Sequence, residues 1–405
     1  MNRKWIHYLI PLLCLSVFFA SCSVRGSQKE TTEQTDSIEE ADMETTAAEE
    51  TVETPNRLNH YALNSDMRGI KILGERNLAS AKQINCDWTG SGIEFRFNSR
   101  GGDMTFTATA TASCYFRAYI DGEAWTNGST LPYFTVTSEK TEIVLRNIPQ
   151  GEHIVRLIKV TGYTIARAQI TNVRFYGNIL GTAPAAKERY IEFVGDSICC
   201  GWGTIGEHQG TYTDQDGTLA YPYLVAEALN ADYSITALSG QGLLVGDPGM
   251  TEGYLYPSPL REKKAEYGFS RKPDTVVVNI GTNDYSYREQ YGITAETFYQ
   301  SYLSFLHTLK QKNGENCRIV CIYNTMNDTW ANSIQRAVND VGGVTAGIHL
   351  LEFSRAAVGH PTISEHAGYA SVLEEFLRDL PEISEEDEIP NAQGMFVRWT
   401  ELIPR

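Results

Sequence analysis

Five short apolar runs, at 190–194, 233–238, 275–280, 318–323 and 348–353, recur through the second half of this 405-residue chain. Runs of this length without polar alternation read as strands buried on both faces. Between them the spacing turns helical. Phe298, Tyr302, Phe305, Leu306 and Leu309 fall on one face, and 221–229, 330–341 and 366–380 also read as helices. Buried strands joined by helical crossovers make a parallel sheet with helices on both faces. An α/β domain is therefore expected over 187–384.

The first half has a different texture. Short runs rich in β-branched and aromatic residues, at 93–97, 104–108, 115–120, 134–136, 143–145, 154–160 and 170–176, are separated by turn signals such as Asp121-Gly122 and Pro149-Gln150-Gly151. Ile93, Phe95 and Phe97 alternate with Glu94 and Arg96, the pattern of a strand with one wet face. Seven such strands predict a β-sandwich, of jelly-roll type, over 57–178.

Ahead of it, Arg3 and Lys4 precede an apolar run at 9–20, and Ala20-Ser21 precede Cys22. The run is too short for a membrane-spanning helix and reads as a secretory signal over 1–21. The small-small-Cys ending resembles a bacterial lipoprotein signal, with Phe19 where an aliphatic residue is usual; Cys22 would then carry the lipid. Residues 22–56 read as an acidic tether. From Ser27 to Asn56 ten acidic residues face one Lys29, with no aromatic and three large apolar residues, too few to offset ordering entropy. Much of the formal charge of −16 sits there. The acidic balance argues against a nucleic-acid partner. The expected location is extracytoplasmic, on a bacterial membrane. Beyond Cys14 and Cys22 six cysteines remain, too sparse for a disulfide framework. Cys86 and Cys114 are a candidate bridge, and Cys199, Cys200, Cys317 and Cys321 read as buried thiols. The segment 385–405 is an acidic stretch and a mixed tail.

In an open parallel sheet, chemistry sits in the loops at the carboxyl ends of the strands. Those loops carry Gly195-Asp196-Ser197, Ser239-Gly240-Gln241-Gly242, Gly281-Thr282-Asn283-Asp284, Asn324-Thr325-Met326-Asn327 and, last, Gly359-His360-Pro361. They supply a hydroxyl nucleophile, a base, a glycine N–H and a neutral amide donor, the inventory for acyl transfer. Any one of these tripeptides alone is also what an ordinary loop contains. No zinc-ligand spacing is present, and no metal or cofactor is expected.

The four blocks in this order resemble the SGNH (GDSL-type) hydrolases, whose sheet is flavodoxin-like. With Tyr221-Pro222, the run Gly195 to Gly203, and His360-Pro361 followed by His366, the chain resembles more closely carbohydrate esterase family 2, in which a jelly-roll domain precedes the SGNH domain. The resemblance covers roughly 57–380. It implies Ser197 as nucleophile, His360 as general base, and an oxyanion hole of the Ser197 and Gly240 N–H groups with the Asn283 side chain. Asp196 and Asp284 are expected to support the loops by accepting backbone N–H bonds. The implied activity is hydrolysis of O-acetyl esters on polysaccharides such as xylan or glucomannan, including the 6-position, as in acetylxylan esterases.

One departure bears on the base. The family's usual acid, two or three residues before the histidine, is replaced by Val358 and Ala357. A backbone carbonyl in a Ser–His dyad, or an acid from elsewhere, would orient His360. The missing acid and the sandwich domain motivate an alternative, a glycan-binding surface protein with little turnover; a sugar O-acetyltransferase is a third reading. Trp202, Tyr285 and Trp330 follow strand-end motifs and are candidates for stacking on a sugar, or equally for plain core. His366 reads as a packing residue at the start of the last helix, and His208 as a loop residue.

Overall fold

The structure is a computed structural model. It describes residues 57–76, 79–206, 211–258, 266–328, 330–356 and 359–380, with a short antiparallel strand pair at Glu388–Pro390 and Phe396–Arg398. The signal, the tether, most of the tail, His208, Ala357 and Val358 lie outside the described residues.

The first half is an antiparallel sheet built from β1 (Leu58–Ala62), β2 (Ile70–Leu73), β3 (Ile84–Cys86), β4 (Gly92–Ala110), β5 (Cys114–Ile120), β6 (Glu123–Ala124), β7 (Phe134–Val136), β8 (Thr141–Lys159) and β9 (Ala168–Ile179). The order is β1-β9-β4-β8-β5-β6, with β2 on β4, β3 on β9 and β7 on β5. Two predicted pairs of strands prove to be single long ones, β4 and β8. Each bends rather than ending. Phe95 and Phe106, on the same strand, bring their rings to 6.2 Å, whereas eleven residues of straight strand would hold them ~36 Å apart. Gly101 and Gly102, both at positive φ, make the corner, and the β4–β8 register shifts there. The sheet thus folds over its own core of Phe95, Phe97, Phe106, Phe116, Leu145, Leu157 and Phe175, giving the two layers of a jelly-roll-like sandwich. Cys86 and Cys114 are both free thiols in this core, so the candidate bridge is not made.

The second half carries the predicted parallel sheet: β10 (Tyr190–Gly195), β11 (Asp232–Ala237), β12 (Thr275–Asn279), β13 (Arg318–Tyr323) and β14 (Ile348–Glu352), in the order β11-β10-β12-β13-β14. Alternate residues feed opposite faces. Val194, Val276, Val278, Ile319 and Cys321 join one core, and Ile191, Phe193, Val277, Val320 and Ile322 the other. The helices are α1 (Tyr221–Ala228), α2 (Met250–Gly253), α3 (Thr282–Ser286), α4 (Arg288–Tyr291), α5 (Ala295–Asn313), α6 (Ala331–Val341) and α7 (Ile363–Asp379). α5 and α6 cover the first face, and α1 and α7 the second. α7 starts three residues earlier than expected, because Thr362 and Glu365 form a capping box. The strand order reverses between β10 and β12, so a crevice opens at their carboxyl ends.

Buried polar contacts join sandwich and α/β domain. Arg76, fully buried, pairs with Glu192 of β10 at 2.6 Å, and Tyr254 donates to the same carboxylate at 2.7 Å. Asp216, also fully buried, receives Arg117 of β5 at 3.2 Å and the Tyr133 hydroxyl at 2.9 Å. The second contact anchors the loop that follows the Gly195-Asp196-Ser197 turn.

Candidate active site

β10 ends at Gly195, where a side chain would collide with the Cys199 sulfur and the Asn279 carbonyl. Its absence lets the chain turn sharply. Asp196 Oδ1 accepts from Ile198 N at 3.0 Å, Cys200 N donates to Asp196 O, and Trp202 N donates to Ser197 O at 3.1 Å. Ser197 is thereby fixed at the mouth of the sheet. Its Oγ lies 2.7 Å from Nε2 of His360, although 163 residues separate them. His360 comes from the loop between β14 and α7, next to Gly359 at positive φ. With Nε2 unprotonated, the serine O–H donates to it, the arrangement needed to generate a nucleophile.

The donor side is assembled from two loops. Asn283 opens α3 just beyond β12, and its Nδ2 donates to Gln241 O at 2.8 Å while standing 3.4 Å from Asp196 Oδ2. One of its two N–H bonds is therefore committed to the β11 loop, and the other faces the nucleophile turn. Gly240, in that loop, is exposed, and a Cβ there would meet nothing within 4 Å, so its backbone can be approached closely. Asp284 clamps the loop from below, accepting from Leu243 N and Leu244 N at 2.8 Å each. A Cβ on Gly242 would overlap that carboxylate, which is why the residue is glycine.

Burial sets the charge of the supporting groups. It pushes the Asp196 carboxyl up to about 7, with the charge of Asp284 adding to the effect and the Ile198 N–H opposing it. Asp284 is raised by burial as well, against the N–H bonds it accepts from the loop. His366, fully buried in α7, accepts from Tyr221 N at 3.3 Å, and burial lowers its imidazole to about 4. It is a neutral ring fastening α1 to α7.

The three aromatic candidates separate. Trp330 is 5% exposed, stacked on Phe298 at 4.6 Å, with its indole N–H on the Gly281 carbonyl. Of the two readings its position left open, its surroundings fit core: Phe298 stacks on one face and Tyr285 meets the ring edge-on. Tyr285 is half-buried with Arg288 over its ring at 4.3 Å. Trp202 is half-buried, its ring 6.0 Å from that of His360. The sequence reading also missed the floor beneath the site, where Asn279 donates to the Tyr221 hydroxyl and accepts from Thr325. Asn279 lies inside an apolar strand, and its polarity there was the available signal.

Residues 193–362 match the GDSL-like Lipase/Acylhydrolase family, and residues 73–184 match the Carbohydrate esterase 2 N-terminal family. The chain is 28% identical over 324 residues to the cellulase/esterase CelE of Acetivibrio thermocellus, an alignment covering 75% of this chain and 38% of that relative. It is 29% identical over 311 residues to an acetylxylan esterase / glucomannan deacetylase of Cellvibrio japonicus, covering 70% of this chain and 80% of the relative. A solved family two carbohydrate esterase from Clostridium thermocellum, in complex with cellohexaose, superposes with a TM-score of 0.68 at 27% identity, covering 77% of this chain and 98% of that one.

Proposed function

We propose that this chain, whose two domains are a carbohydrate esterase 2 N-terminal domain and a GDSL-like acylhydrolase domain, is a carbohydrate O-acetyl esterase. The observation that carries the reading is the 2.7 Å approach of Ser197 Oγ to His360 Nε2 at the carboxyl end of the parallel sheet. Ser197 attacks the acetyl carbonyl as its proton passes to His360. The tetrahedral oxyanion is held by the N–H groups of Ser197 and Gly240 and by Asn283. The carbon–oxygen bond to the sugar then breaks, and the leaving alkoxide takes the proton from His360. Water, deprotonated by the same imidazole, attacks the acetyl-serine; the bond to Ser197 Oγ breaks, the serine oxygen takes the proton back from His360, and acetate leaves.

The substrate class is an acetylated polysaccharide of the xylan or glucomannan type, as the named activities of the Cellvibrio japonicus relative support, and the reading extends to acetyl groups on a primary 6-hydroxyl. The signal-like N-terminus ending in Cys22 and the acidic stretch after it support a lipid-anchored, extracytoplasmic enzyme that meets its polymer outside the cell.

Acetate release from acetylated xylan and glucomannan, measured for the wild type and Ser197→Ala, tests the reading. Release that vanishes in the variant is expected. No release by the wild type, together with unchanged glycan affinity in Ser197→Ala, favours a non-catalytic glycan binder. Acetyl transfer exceeding hydrolysis when acceptor sugar is added favours an acetyltransferase.

A further inference from the structure

An imidazole base is positioned through its ring nitrogens and by the rings packed beside it, and in this site a neighbouring aromatic ring is supplied by the loop that also carries the nucleophile. The Trp202 ring lies 6.0 Å from the His360 ring at a tilt of 34°, within the range at which an aromatic face attracts a cation. The backbone of Trp202 is held in place from two directions. On one side Trp202 N donates to Ser197 O, so indole and nucleophile share one turn. On the other, Trp202 bridges to Gln215, which is fully buried and accepts from Gly162 N at 3.0 Å. The next residue is Asp216, gripped by Arg117 and Tyr133 of the sandwich. Gly201 and Gly203, both at positive φ, let the chain pass on either side of the tryptophan.

We propose that Trp202 is a positioning residue for His360: its indole keeps the imidazole turned toward Ser197 and stabilises the imidazolium formed when the serine gives up its proton. The assignment rests on the esterase reading above and goes beyond it, because it separates Trp202 from the sugar-stacking role its sequence position suggests. It also gives the sandwich domain a part in catalysis, through the strap that runs from Arg117 and Tyr133 by way of Asp216 and Gln215 to Trp202. Among the described residues, the charged and titratable groups on the elements around the ring include Asp196 on the nucleophile turn, Asp214 and Asp216 on the loop that follows it, Asp284 behind Asn283, Glu352 and Arg355 ahead of the histidine, and Glu365 and His366 on α7. A Trp202 substitution leaves all of these in place.

The test uses 4-nitrophenyl acetate, which has no sugar to stack. Trp202→Leu is expected to lower kcat by about three- to thirty-fold and to move the acid limb of the kcat/KM profile down by about half a pH unit, since an imidazolium without the indole is easier to deprotonate. Trp202→Phe is expected to restore most of both. An aryl-ester rate unchanged in Trp202→Leu, with a raised KM only for acetylated polysaccharide, makes Trp202 a sugar platform and overturns the proposal. A lower rate with an unmoved acid limb and no rescue by phenylalanine overturns it as well. If Trp202→Leu does not fold by circular dichroism, Trp202→Met, whose flexible unbranched side chain adapts to the gap without an aromatic face, decides on the same two readouts. An inactive wild type sinks the esterase reading together with this one, whereas an active wild type with an indifferent Trp202 sinks this one alone.

Discussion

Asn283 Nδ2 stands 3.4 Å from Asp196 Oδ2 and donates at 2.8 Å to the carbonyl of Gln241, so a single amide ties the nucleophile turn to the loop carrying Gly240. The amide bridges both loops before any substrate arrives, and its second N–H, only weakly engaged by Asp196, is the one free to turn to an oxyanion. Asn283→Ala should therefore lower kcat by roughly 10²–10³-fold with little change in KM, the signature of a donor that works in the transition state. Melting should fall as well, by about 1 kcal/mol for the lost Gln241 bond. Steady-state kinetics on an aryl acetate and thermal melting check the two parts separately.

Asp196 is fully buried and titrates near 7 in the folded chain, well above its ordinary value of 3.8. In the window between those values the native state binds the proton that the unfolded state has released, so folding stability falls as pH rises through it. Asp196→Asn keeps an oxygen for Ile198 N and removes the ionisation. Relative to wild type, the variant should gain stability between pH 5 and pH 8, by up to a few kcal/mol. Denaturant melts of both proteins at the two pH values measure the difference; parallel curves would refute a buried proton at this position.

His366 carries the opposite sign. Its folded value near 4 lies below the ordinary 6.5, so the unfolded chain binds the extra proton, and stability is lost as pH falls from about 6.5 to 4. The full effect is about 3 kcal/mol, reached below pH 4. His366→Asn, which retains an acceptor for Tyr221 N, should flatten this acid limb. Melting temperatures between pH 7 and pH 4 for the two proteins test it.

The parallel sheet was legible because its strands are apolar on both faces and its helices repeat at 3.6 residues, signals that live within ten or twenty residues. Ser197, Gly240, Asn283 and His360 were legible because each sits on a polar turn after such a strand, and the order of the turns matched a known set. Other features left no local trace. A strand bent at Gly101-Gly102 has the same sequence as two strands and a turn, since glycine serves both. The grip of Arg117 and Tyr133 on Asp216 joins residues 99 and 83 positions apart across two domains, so no spacing announces it. Trp330 beside a strand-end motif could face a cleft or the core. Its place in the core comes from Phe298, 32 residues earlier on α5, and from the Gly281 carbonyl, 49 residues earlier, that takes its indole N–H.

That assignment of Trp330 is testable against the sugar-stacking alternative. Trp330→Phe keeps a ring against Phe298 but loses the indole bond to the Gly281 carbonyl, which is buried. Stability should drop by about 1–3 kcal/mol, while KM for an acetylated polysaccharide stays within about twofold of wild type. A large rise in KM with unchanged melting would return Trp330 to the substrate cleft.

Asp216 is the centre of the strap between the sandwich and the nucleophile loop. Its carboxylate is fully buried, and Arg117 beside it is 15% exposed at the side chain, so the pair is partly screened by water. Removing one partner of such a pair costs more than the pair contributes, because the other charge stays behind in a poorly solvated place. Asp216→Ala leaves the Arg117 guanidinium facing the gap and frees the Tyr133 hydroxyl, and should destabilise by about 2–4 kcal/mol after allowance for that screening. Arg117→Met, which removes the cation and leaves Asp216 with Tyr133 and Thr218, should cost less than Asp216→Ala, because those two hydroxyls and the Thr218 N–H still satisfy the carboxylate. Paired denaturant melts give both values, and the order of the two losses, rather than either size alone, distinguishes a strap built around the aspartate from a simple surface ion pair.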